Sequence, residues 1–238
     1  YNTSEQIERG LYHALIVEDA FVDSFTLDET WVLDDWRVVD GQLYPYFNTP
    51  HDLMHDGRWG NLVTINGSTE MQANWSSGDR IRLRLVNAAN ARVFKPDFGD
   101  LPVDVLAFDG IPTFGSVDYR DLDLAPGNRV DLVVTIPEGF NKETTVLDTF
   151  TRNPFALARI TVSGEQVATP EWSWDVGSAV LWPDVTDLPV DQELVLDASR
   201  GGMHGINWMI NGESFPRHTP IELKDGEFTV MEFVNRSS

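Results

Sequence analysis

Cysteine is absent from all 238 residues, which removes disulfides, thiol nucleophiles and every metal site built on thiolate. Lysine is nearly absent too: of seventeen basic residues only Lys95, Lys142 and Lys224 are lysine. No apolar run approaches the roughly eighteen residues that a membrane-crossing helix needs, so no membrane span is expected. Positive charge is the minority sign, and the net charge of −21 argues against nucleic acid or an anionic membrane as a partner. What the chain does have is 42% hydrophobic residues, enough for a substantial core, and an acidic side dominated by twenty-four aspartates against fourteen glutamates.

A pattern recurs along the chain. Ile65-Asn66-Gly67, followed by Gly78-Asp79-Arg80-Ile81-Arg82-Leu83-Arg84-Leu85-Val86-Asn87, returns as Ile210-Asn211-Gly212, followed by Gly226-Glu227-Phe228-Thr229-Val230-Met231-Glu232-Phe233-Val234-Asn235. Val32-Leu33-Asp34 returns as Val195-Leu196-Asp197. The offset is 163 residues at the last pair and 145 at Ile-Asn-Gly, so eighteen extra residues lie between Asp34 and Ile65. That stretch carries Gly41, Pro45, Pro50, Gly57 and Gly60, and turn formers of this kind predict a loop decorating a common core. A period near 145 residues fits one domain of ordinary size and is too long for a solenoid repeat. After Asn87 the first copy continues for roughly seventy-five strand-like residues, whereas only three follow Asn235. At the other end, Ala14-Leu15-Ile16-Val17 resembles the closing strand of the complete unit, Ala156 through Val162. The expectation is the last strand of one domain, one whole domain, and the opening of a third.

Periodicity gives the fold class. Ile81, Leu83 and Leu85 alternate with Arg80, Arg82 and Arg84, the period of a half-buried strand with arginine stems along a solvated face. Val103, Val105 and Ala107 alternate likewise, and Val130 to Ile136 and Ala158 to Val162 are short β-branched runs bounded by turn formers. An all-β, Greek-key sandwich or barrel is expected. Between Gly164 and Pro189, prolines 170, 183 and 189 and tryptophans 172, 174 and 182 predict an ordered strap packed on domain surfaces.

Taken in order, these motifs resemble the three-domain multicopper oxidases, the laccase-like and cuprous-oxidase-like proteins built from cupredoxin domains. Gln6-Ile7-Glu8-Arg9-Gly10-Leu11-Tyr12-His13-Ala14-Leu15-Ile16-Val17-Glu18-Asp19 is similar to the end of their first domain. Leu33-Asp34-Asp35-Trp36, Asn66-Gly67, Gly78 through Ala88 and Ala107-Phe108-Asp109-Gly110 are similar to their second, and Ile210 through Pro216 with Val234-Asn235 to the start of their third. The resemblance implies cupredoxin-like domains divided at residues 1–23, 24–163, 164–190 (the strap) and 191–238. It implies a longer protein that takes single electrons from a phenolic or metal-ion reductant at a type 1 copper and passes them to a trinuclear cluster, where dioxygen becomes water. The family's copper ligands come from two His-x-His motifs of the first domain and from His-Pro-x-His-x-His and His-Cys-His motifs of the third, all outside this sequence. No catalytic, cofactor-binding or metal residue therefore carries over, and no copper is expected within this chain. Its expected partners are the flanking domains, and its expected location is periplasmic or secreted. A copper-free scaffold or binding protein of the same fold is the alternative, and an independent adhesion-like β module a third reading that exposed sheet edges disfavour.

His51 and His55, at i and i+4 with Met54 between them, would share one face of a helical turn and could take a soft metal. A surface loop is the plainer reading, since one thioether is little sulfur for a copper-binding insert. His13 reads as a structural histidine in a strand, His204 as a contact residue in a glycine-rich run, and His218 as inert. Asp118, Asp121 and Asp123 could bind calcium but lack a glycine-turned loop, so a solvated acidic edge is preferred. Asn66, Asn74 and Asn235 head glycosylation sequons. The excess of aspartate over lysine fits a surface that stays hydrated in strong salt, and predicts a melting temperature that rises between low and molar salt. Calorimetry across that range checks it, and a flat response removes the idea.

Overall fold

The computed structural model describes residues 3–17, 24–44, 49, 52, 57–113, 117–168, 187–200 and 206–237. They fall into two compact units, one of residues 1–48 and 56–177 and one of residues 49–55 and 178–238. The central part of the expected strap lies outside the described residues.

In the first unit a short helix, α1 (Thr3–Glu8), precedes the strands. These are β1 (Leu27–Trp36), β2 (Val38–Val39), β3 (Gln42–Leu43), β4 (Leu62–Ile65), β5 (Met71–Ser77), β6 (Arg80–Asn87), β7 (Pro96–Asp97) and β8 (Val103–Phe108). Then come β9 (Ile111–Pro112), β10 (Arg129–Thr135), β11 (Glu143–Asp148) and β12 (Phe155–Gln166). One sheet runs β4-β1-β6-β10-β8-β9 and the other β5-β12-β11-β7, with β2 and β3 forming a separate ribbon. The chain alternates between the two sheets from β4 to β8. The parallel pairs β1 with β6 and β5 with β12 close the sandwich. This is the all-β Greek-key sandwich that the alternation predicts.

Alternation decides what fills it. Trp31 and Leu33 of β1, Ile65 of β4, and Ile81, Leu83 and Leu85 of β6 are buried against Ala73 and Trp75 of β5, Val146 of β11, and Ile160 and Val162 of β12. Each fully buried aliphatic side chain among them contributes about 1.5–3 kcal/mol. Trp31 stacks on Trp75 with centroids 6.2 Å apart, and both indole N–H groups donate to the Glu29 carboxylate, at 3.1 and 3.0 Å. One carboxylate thus satisfies the polar edge of a tryptophan from each sheet, which lets both rings enter the core.

The second unit contains β13 (Gln192–Arg200), β14 (Ile206–Ile210) and β15 (Met231–Asn235), in the order β14-β13-β15. It repeats the order and central register of β4-β1-β6. Leu33 lies opposite Ile65 and Asn87, as Leu196 lies opposite Ile210 and Asn235. Asn66 and Asn211 both adopt positive φ, 51° and 53°, a conformation asparagine tolerates better than most residues. Their side-chain oxygens accept from the backbone N–H of Val32 and Val195, each at 2.8 Å. The Asn87 side chain accepts from Ala89 N–H at 2.9 Å, and Asn235 from Ser237 N–H at 3.0 Å. The sequence repeat is therefore a three-dimensional one, carried by asparagines that clip turns to strands.

Three expectations change. The arginine face of β6 is not solvated: Arg82 is buried, because β6 is an interior strand whose neighbours set Asp28 and Asp131 beside it. Arg82 bonds Asp131 at 2.9 Å and Arg84 bonds Asp28 at 2.8 Å, while the Phe25 ring lies 5.7 Å from the Arg82 guanidinium. Residues 14–17, expected as a strand, are extended without ladder partners among the described residues, and Leu15 and Val17 stand largely exposed. Finally, the end of the insertion is no loose decoration, since Arg58 is only 2% exposed.

That insertion base is held by close backbone approach. A Cβ on Gly60 would lie 2.5–2.6 Å from backbone atoms of Trp36, whereas one on Gly67 (φ +78°) would meet nothing within 4 Å. Gly60→Ala is expected to destabilise the protein by more than ~2 kcal/mol through forced backbone displacement. Gly67→Ala should cost about 1 kcal/mol from its left-handed backbone alone. Urea unfolding of the two variants beside the parent checks the ranking.

Candidate functional site

Of the residues singled out from sequence, His51, Met54, His55 and His204 lie outside the described residues. His13 is exposed on the extended segment, and His218 is exposed with its ring stacked on Phe215 at 6.0 Å. The three aspartates do not converge on a cation. Asp118 caps a 3-10 turn by accepting from Arg120 N–H, Asp121 sits in that turn, and Asp123 pairs with Lys95 at 3.1 Å. Among the described residues no group of three or more His, Cys, Asp or Glu is placed to hold a metal. Asn66 and Asn235 spend their side chains on the turns described above, leaving Asn74 as the sequon asparagine that points outward from β5.

The most concentrated chemistry is a buried charge network that sequence reading missed. Arg58, from the insertion base, donates from Nε to Glu8 Oε2 at 2.9 Å and from Nη1 to Asp35 Oδ1 at 3.0 Å. Its Nη2 reaches the Asp35 carbonyl at 2.9 Å and lies 2.6 Å from Glu8 Oε2. The other Asp35 oxygen accepts from Arg92 Nε at 2.9 Å and from Gly60 N–H. Arg92 also donates to the Gly60 carbonyl at 2.8 Å, and its guanidinium lies 4.8 Å from the Trp59 ring centre. Asn90 adds a bond to Glu8 Oε2 at 2.5 Å. Beside the network, Tyr12 donates to Asp34 at 2.6 Å, and Asp34 in turn accepts from Asp35 N–H at 2.7 Å. Two carboxylates thus face two guanidiniums, which is how burial of charge is tolerated. The available signals were the Asp34-Asp35 doublet at the end of an apolar strand and an Arg-Trp pair between glycines 57 and 60.

This arrangement binds segments together and offers little to a reacting molecule. Guanidinium groups do not deprotonate, and both Asp35 oxygens are already engaged. A groove of about 620 Å³ runs between residues 13–17 and the outer face of the larger sheet, floored by Arg82, Arg84, Val86 and Ala107. Its two floor arginines are tied to Asp28 and Asp131. In the second unit a groove of about 470 Å³ exposes Leu196, Trp208, Ile210 and Phe215. Phe233, whose counterpart Leu85 is 2% exposed, is 66% exposed there.

Comparison with known proteins points one way. Residues 28–143 match the family model described as multicopper oxidase. Over 144 residues the chain is 29% identical to cell division protein FtsP of Escherichia coli, covering 58% of this chain and 30% of that protein. It is 25% identical to multicopper oxidase MmcO of Mycobacterium tuberculosis, covering 97% of this chain and 53% of that one. Among solved structures, a multi-copper oxidase from Pseudomonas parafulva superposes with a TM-score of 0.76 at 27% identity, covering 99% of this chain and 57% of that one. Another from Pseudomonas thermotolerans gives 0.76 at 24%, covering 98% and 56%. The chain spans about a third to a little over half the length of these relatives.

Burial pushes the Asp34 carboxyl up to about 6, against the opposing pull of the Tyr12 and Asp35 N–H bonds and of Arg58. Burial and the bond to Asp34 also push the Tyr12 hydroxyl up. The folded protein therefore holds the Asp34 proton more tightly than the unfolded chain does. The stability this adds is complete below about pH 4 and is lost as pH rises through 6. Asp34→Asn should remove that loss, so the variant gains about 1–2 kcal/mol on the parent between pH 4 and 7 after allowance for solvent screening. Urea unfolding at several pH values checks the sign.

Proposed function

Because residues 28–143 match the multicopper oxidase family model, we propose that the chain belongs to that family as the middle of a longer copper oxidase and serves there as scaffold. Residues 1–23 close a first cupredoxin domain, 24–163 form a second without copper ligands, 164–190 strap across, and 191–238 open a third. The longer protein takes single electrons from a phenolic or metal-ion reductant and delivers them to dioxygen, which leaves as water. Its copper ligands lie on the flanking domains, and its location is periplasmic or secreted. This piece alone is inactive.

One observation carries the reading. The two units share the same three-strand scaffold as far as Asn87 and Asn235, and beyond Asn87 the chain runs Ala88 to Phe98 with neither histidine nor cysteine. There the Asn87 side chain donates to the carbonyls of Arg92 and Leu124, each at 2.8 Å, so the loop is closed by its own backbone. The donor set present does not suit copper, and no step of the oxidation passes through these residues. Residues 14–17, without ladder partners among the described residues, and the 66% exposed Phe233 are compatible with this reading.

The similarity to the FtsP proteins supports a second reading, a copper-free relative that binds or organises other proteins. Copper content decides between them. The full-length protein, expressed with copper and dialysed against a mild chelator, is expected to retain copper and a blue absorbance, while residues 1–238 alone retain none. A full-length protein without copper moves the conclusion to the scaffold reading.

A further inference from the structure

The network around Arg58 joins segments that are distant in sequence: Glu8 at the end of α1, Asp35 near the end of β1, Arg58 at the base of the insertion, and Asn90 and Arg92 after β6. The internal repeat shows what in this set is additional to the common scaffold. The position of Asp35 is Ala198 in the second unit, although the preceding aspartates correspond and make the same bond to the next N–H, 2.7 Å in both. The insertion that supplies Arg58 is likewise present only in the first copy of the repeat. An acid and its arginine are therefore present together in one copy and absent together from the other.

We propose that Arg58 is the pin of a latch that couples the insertion to the N-terminal segment, so that α1 and the insertion base are held on the domain, or released from it, as one. The physical reason is the asymmetry of buried charge. A complete buried ion pair adds little net stability, whereas removal of one partner strands the other in a poorly solvated site. Arg58 is 2% exposed, Glu8 4% and Asp35 0%, so withdrawal of Glu8 leaves two buried guanidiniums sharing the single carboxylate of Asp35, and withdrawal of Arg58 leaves Glu8 with only the neutral Asn90. The insertion base has little room to compensate by sliding. A Cβ on Gly57 would sit 2.7 Å from that of Ala91, and Gly60 is pinned by Asp35 on one side and by Arg92 on its carbonyl. On the other side, the α1 segment ends in backbone bonds from Gly10 to Ile7 and from Leu11 to Gln6. Its Tyr12 is anchored to Asp34, the neighbour of the network's central carboxylate. The latch stands whether or not residues 1–23 close a preceding domain.

Hydrogen exchange read by mass spectrometry on the full-length protein tests this, and needs neither copper nor activity. Glu8→Gln keeps the shape of the side chain and lies fifty residues from Arg58 in sequence. It is expected to speed exchange at the protected amides of Gly60 and Asn61 about tenfold, together with those of residues 9–11, through a shared local opening. Amides of β6 and β10 should stay within about twofold of the parent. Arg58→Met should give the same paired pattern. If Glu8→Gln leaves residues 60 and 61 unchanged, or if β6 and β10 accelerate equally, the two segments are not coupled by the latch and the proposal fails. Should Arg58→Met not fold, the Glu8→Gln result alone decides.

Discussion

The parallel ladder between β1 and β6 is the constraint from which most of the first unit follows. Its register, Leu27 to Ile81 through Leu33 to Asn87, assigns every side chain on two strands to one of two faces at once. Trp31, Leu33, Leu83 and Leu85 go inward, and Asp28, Arg82 and Arg84 go outward to form the charged row that Asp131 completes. The ladder stops at Leu33, and only beyond it, where β1 has lost its β6 neighbour, do Asp34 and Asp35 become available to Tyr12, Arg58 and Arg92. The buried charge network sits where β1 keeps only its β4 neighbour, so that the side β6 has left is open to Arg58 and Arg92.

Much of this was written in the sequence at short range. The recurrence of Ile-Asn-Gly and of a terminal Val-Asn pointed to a common scaffold, and the structure gives the recurrence its cause. An asparagine in the left-handed region, just past the end of one strand, bonds to the neighbouring strand, and a second asparagine accepts from the amide two residues on. Alternation in β6 identified the core face correctly. It could not say whether the opposite face is wet, because that depends on Asp28 and Asp131, which lie roughly fifty residues away on either side. The insertion hid its content for the same reason: Arg58 looked like a loop residue until Glu8 and Asp35 closed around it. Local chemistry was legible, and pairing over long separations was not.

The first unit is similar to copper oxidases, yet among the described residues what holds it together is sheet packing and turn clips. Asn87 ties the turn after β6 to the carbonyls of Arg92 and Leu124. None of these contacts involves a metal, so resemblance to the oxidases and resemblance to the FtsP proteins are compatible in a single chain.

The parallel pairing of β5 with β12 also has a bearing on synthesis. Met71 meets Ala158 and Trp75 meets Val162, partners separated by eighty-seven residues. Pairing at that distance carries a large loop-closure entropy and is slow compared with hairpin formation. On a ribosome adding about 5–20 residues per second, β5 emerges roughly 4–17 seconds before its partner. During that interval Trp75 has a neighbour in Trp31 but no sheet around it. The second layer of the sandwich is therefore laid down last, and the nascent protein passes through a stage in which one finished face of the larger sheet lies open to whatever else is in solution.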